Sequence, residues 1–104
     1  MYNTYILSYS PFSEKYTVPQ LVAFIKAHTA TYQFYIATAG TMLVKTDWKL
    51  LPLIESYHDF FAGDSYVISQ VFPNLMGGGL PQYAWDWINA PNPPPLLEQL
   101  EQQK

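Results

Sequence analysis

Between residues 4 and 72 the hydrophobic pattern of this chain switches between a two-residue and a 3.6-residue period, and the order of the switches restricts the folds open to it. Thr4 to Tyr9 (TYILSY) are β-branched and aromatic and stop at Ser10-Pro11, where proline has no N–H for a ladder; they predict a first strand. Thr17-Val18-Pro19-Gln20 reads as a helix start. Thr17 and Gln20 stand at capping-box spacing, and Pro19 falls in the first turn, where a missing N–H costs little. Leu21, Val22, Ile25 and Thr29 then share one helical face. Thr31 to Thr38 (TYQFYIAT) and Thr41 to Lys45 (TMLVK) predict two strands joined through Ala39-Gly40. Leu50, Ile54, Tyr57 and Phe61 recur at helical spacing, with Ala62-Gly63 as the stop. Pro52 must lie in the first turn of that helix, or Trp48 to Leu51 form a separate turn. Ser65 to Phe72 (SYVISQVF) predict a fourth strand, closed by Pro73-Asn74.

Strand, helix, strand, strand, helix, strand is the split βαβ order of a ferredoxin-like α+β sandwich, with two helices on one face of a four-stranded antiparallel sheet. Gly77-Gly78-Gly79 read as a hinge before a short third helix over Pro81 to Asn89. Residues 1–90 are expected to form one domain and residues 91–104, biased to Pro, Gln and Glu, a tail. In that tail Pro91-Asn92-Pro93-Pro94-Pro95 reads as a stiff spacer or a polyproline ligand, and LLEQLEQQK is too short to hold a helix alone.

Alternation leaves both sheet faces apolar. In strand one Tyr5, Leu7 and Tyr9 oppose Ile6, Ser8 and Ser10; in strand four Tyr66, Ile68 and Phe72 oppose Val67, Ser69 and Val71. Leu21, Ile25, Leu50, Ile54 and Tyr57 are expected to cover one face, which leaves the other in need of a partner. Charged residues are only 12% of the chain against 49% hydrophobic and 17% aromatic, about half the usual charged share, so a homodimer is the expected cover. An unidentified protein partner and an aromatic-rich monomer are the other possibilities. The candidate interface is Tyr5, Leu7, Tyr9, Tyr35, Tyr66, Ile68 and Phe72, with Trp85 and Trp87 as anchors. The two tryptophans lie two apart, so on a helix they diverge: one is expected in the core and the other free for contact.

Five lysines, no arginine and a net charge of −3 lack the basic footprint of nucleic-acid binding; Lys15, Lys26, Lys45 and Lys49 are scattered. The absence of cysteine removes disulfides, thiolate chemistry and cysteine-based zinc sites. There is no apolar run near the ~18 residues of a membrane span, and no leader-like start, so a soluble cytoplasmic protein without membrane contact is expected.

TYILSY, TMLVKTD, GDSYVISQV and AWDWI occur in the order and at the spacing that resemble the small Cas2-like proteins, including the bacterial and phage set loosely labelled SinR family. The resemblance covers most of residues 4 to 89 and implies a ferredoxin-like fold and a symmetric homodimer. In the Cas2 branch it also implies either a metal-dependent nuclease or a non-catalytic scaffold. The nuclease needs an aspartate at the end of strand one. This chain has Ser8-Tyr9-Ser10-Pro11 there, with Ser10 in the acid's place, and a lone hydroxyl is a poor Mg²⁺ ligand.

The remaining chemistry is sparse. Glu55, His58 and Asp59 lie close on helix two, yet the second half of a carboxylate-bridged metal site is missing, and His28 is the one other histidine. Asp47 and Asp64 read as a helix-start acid and a turn residue. The serines have no nucleophile-elbow setting, the triple glycine lacks the Lys-Ser/Thr of a phosphate loop, and TMLVK lacks the base-stacking pattern of an RNA-binding sheet. No catalytic residue, metal or cofactor is assigned. The expected function is a non-catalytic homodimer acting through protein contacts. The rivals are a nuclease using a displaced Asp47 or Asp64 and a weak single-strand binder.

Overall fold

The computed structural model describes residues 2–90, so the expectations for the tail lie outside the described residues. The fold is mixed α+β. Strands β1 (Asn3–Tyr9), β2 (Gln33–Thr38), β3 (Thr41–Thr46) and β4 (Tyr66–Val71) make one antiparallel sheet in the order β2-β3-β1-β4, accompanied by α1 (Val18–Ala27), α2 (Leu50–Phe61) and α3 (Gln82–Asn89). Among the described residues no helix is long and apolar enough to cross a membrane.

Local chemistry sets the boundaries. Thr17 Oγ1 accepts from the Gln20 N–H at 3.2 Å and Gln20 Oε1 accepts from the Thr17 N–H at 2.8 Å, a closed capping box worth about 1 kcal/mol. Pro52 lies in the first turn of α2, where no helical donor is lost. That helix stops at Ala62, left-handed at φ 50°, followed by Gly63 at φ 88°. The β2–β3 hairpin turns at Gly40, with φ 87°. A side chain there would start 3.0 Å from the Tyr9 carbonyl, while the Gly40 carbonyl accepts from the Tyr9 N–H at 3.0 Å. The hairpin is thereby stitched to the end of β1, a close approach that glycine permits. The β2–β3 register shifts between Ile36 and Thr38, so Ala37 is a bulge.

The core lies between one sheet face and two helices. Tyr5, Leu7 and Tyr9 of β1, Met42 and Val44 of β3 and Ile68 of β4 meet Leu21 and Ile25 of α1 and Leu53, Tyr57 and Phe61 of α2. Leu53, Tyr57 and Phe61 are the buried stripe of α2, with Leu50 and Ile54 at its margin rather than its centre. Thr29, expected on the face of α1, lies past its end and is exposed. After β4 a single 3₁₀ turn, Pro73–Leu75, redirects the chain toward α3. Gly77, Gly78 and Gly79 in the connection meet no atom within 4 Å of a would-be side chain.

Candidate interaction surface

Strand pairing defines the second face. Tyr35, Leu43, Ile6 and Ser69 form one row across the four strands, Gln33, Lys45, Thr4 and Val71 the next. α3 lies over the β2–β3 half of these rows. Its buried residues are Ala84 and Ile88, and beneath it Leu43 is fully buried. Lys45 is 5% exposed; its ammonium donates to the Trp87 carbonyl in the last turn of α3 and lies 4.3 Å from the centre of the Trp87 ring. A buried cation is thus met by the negative end of a helix and an indole face instead of a carboxylate. Burial lowers the Lys45 pKa from its ordinary value. Tyr35 packs against Trp87 and Tyr83 with ring centres 5.9 and 6.1 Å apart. The neighbouring Tyr83 hydroxyl, with a smaller contribution from burial, raises the Tyr35 pKa.

Among the described residues the β1–β4 half, apart from the buried Thr4, has no such cover. Ser8, Val67 and Ser69 are exposed, Val67 at 63%, and Phe72 beyond the strand is 54% exposed. A shallow groove of about 210 Å³ runs here between Ser8, Tyr9, Ser10, Ser65, Tyr66 and Val67. β4 is also a sheet edge, and Tyr66–Val71 (YVISQV) contains no charge, no proline and no bulge. Edge strands that stay monomeric normally carry at least one of those devices.

The structure redistributes the expected interface. Tyr5, Leu7, Tyr9 and Ile68 point toward α1 and α2 and are buried, which corrects their assignment to an open face. Both phases of β1 are apolar enough to serve, and the helices took the bulkier one. Tyr5 completes its burial by donating its hydroxyl to the Trp48 carbonyl at 2.9 Å. Tyr66 is half-buried, stacked on Phe61 at 4.2 Å. Trp85 and Trp87 are both half-buried, so neither is the core tryptophan; the buried positions of α3 fall on Ala84 and Ile88 instead. Phe72 is the one residue of the expected set that stands exposed. Val67 and Ser8 were visible only as the opposite phase of strands four and one.

The candidate chemistry is dispersed. Ser10 Oγ accepts from the Phe12 N–H at 3.4 Å and its carbonyl accepts from the Tyr16 hydroxyl at 3.2 Å, so Ser10 is a turn residue. Asp64 accepts from the Ser13 hydroxyl beside it. Asp47 follows Thr46, which pairs with Asn3, whereas Asp64 precedes Tyr66, which pairs with Tyr9. The two acids therefore sit at opposite ends of β1, about 20 Å apart at strand rise, too far to share a metal. Among the described residues no three His, Cys, Asp or Glu side chains gather. No family model, no curated protein and no solved structure matches this chain.

Proposed function

We propose that this chain is a non-catalytic, homodimeric domain that acts through protein contacts in the cytoplasm, built as a ferredoxin-like sandwich and related to the Cas2-like proteins. The sandwich reading is supported by strand directions. β1 and β2 are each antiparallel to β3, hence parallel to one another and split by it; β3 and β4 are likewise split by β1. The single observation that carries the functional reading is the β4 edge with its flanking half-face: six uncharged residues whose outer side pairs with no other strand among the described residues, beside exposed Val67 and Phe72. A second copy supplies both a matching edge and matching apolar surface, because a two-fold contact needs one self-complementary patch. Sedimentation equilibrium of the full chain at micromolar concentration tests this: a dimer mass is expected, and a monomer across the range contradicts it. Magnesium-dependent cleavage of RNA or DNA that is lost in Asp47→Ala or Asp64→Ala would instead favour the nuclease reading.

A further inference from the structure

His28 closes α1 as its C-cap, and both of its ring nitrogens are committed. The Ala30 N–H donates to Nδ1 at 3.0 Å, which makes Nδ1 the unprotonated acceptor. Nε2 lies 2.9 Å from Ser56 Oγ, and Ser56 donates its own proton to the Leu53 carbonyl at 2.8 Å. The ring proton is therefore on Nε2, pointing at the serine. This is the reverse of a nucleophile–base pair, in which histidine takes the hydroxyl proton. Phe24, Trp48 and Tyr57 meet the imidazole steeply, with ring centres 5.6, 5.3 and 5.0 Å away. One side chain thus ties the end of α1 to α2, to the β3–α2 connection and to the lead into β2.

We propose that His28 is an acid-responsive latch: a second proton can enter only at Nδ1, where it breaks the Ala30 hydrogen bond, charges the aromatic seam and frees the end of α1 from α2. Of the titratable groups on the surrounding elements, Tyr57 touches the ring and is neutral, its pKa pushed up to about 12. Lys26, Asp47, Lys49, Glu55, His58 and Asp59 on the same elements are exposed. The negative end of α1 favours an imidazolium. Two N–H groups facing each other and a cation taken out of water oppose it more strongly. Burial accordingly lowers the His28 pKa from 6.5. Because the folded value lies below the unfolded one, the stabilisation from neutral His28 is complete above 6.5 and is lost as pH falls toward the folded pKa.

Amide hydrogen exchange at Ala30, expressed as protection over the intrinsic rate, tests the latch in wild type and His28→Gln. Wild-type protection is expected to fall roughly tenfold between neutral pH and pH 5, and the glutamine variant to show no such fall. Imidazole nitrogen shifts of wild type give a second readout that needs no variant: the Nε2–H tautomer at neutral pH, titrating below 6.5. Protection of Ala30 that is unchanged with pH in wild type, or an Nδ1–H tautomer, overturns the proposal.

Discussion

The two faces of the sheet are built from similar residues but covered to different depths. The first face lies under two helices of 10 and 12 residues and buries whole side chains: Leu7, Leu21, Leu53, Tyr57 and Phe61 are sealed from solvent. Among the described residues the second face lies under one helix of eight residues with two buried positions, which packs on Tyr35 and Lys45 of the β2–β3 half and meets the 3₁₀ turn after β4. The difference teaches that apolar alternation in a strand does not say which face becomes core. Where the helices dock decides that, and among the described residues they leave one strip uncovered.

Substitutions should therefore fall into a graded series. Leu53→Ala, in the centre of the first face, is expected to lose about 3–5 kcal/mol in urea unfolding, because the surrounding rings cannot collapse into the space. A loss below about 1 kcal/mol would mean that the first face is loosely packed. Tyr57 tests the same face through pH. Burial raises its hydroxyl pKa to about 12, while the unfolded value is 10.0. The folded state therefore loses stability as pH climbs from 10 toward 12, by up to about 2–3 kcal/mol, and Tyr57→Phe should flatten that alkaline slope. Ile88→Ala removes one of two buried contacts under α3 and is expected to cost about 2 kcal/mol, with Trp87 fluorescence changing before global unfolding. Coincident loss of both signals would show α3 to be as integral as α1 and α2. Val67→Lys, on the uncovered strip, should change unfolding stability by less than about 0.5 kcal/mol at protein dilutions where the chain is monomeric.

Much of this arrangement was legible in the sequence, for identifiable reasons. The capping box at Thr17 and Gln20, the turn at Gly40 and the stop at Ala62-Gly63 each depend on residues close in the chain, so each appears where the pattern put it. The third helix was also visible from its opening proline. The phase of β1 was not. Tyr5-Leu7-Tyr9 and Ile6-Ser8-Ser10 differ mainly in bulk, and the choice between them depends on where α1 and α2 dock. Lys45 misled for a related reason: a lysine in a strand reads as surface, and its burial depends on a carbonyl and an indole 42 residues away. The bulge at Ala37 likewise has no local mark. Of the candidate interaction surface, a 12% charged share pointed to exposed apolar residues, whereas locating an uncharged edge at β4 required the sheet order.

That place can be probed at the backbone itself. Amide exchange of the β4 N–H groups that point away from β1, followed over a protein concentration series in wild type and Val67→Lys, reports directly on whether a second copy pairs with this edge. Protection should rise with concentration in wild type and vanish in the lysine variant; exchange at the open rate in wild type at every concentration would contradict a dimer through β4.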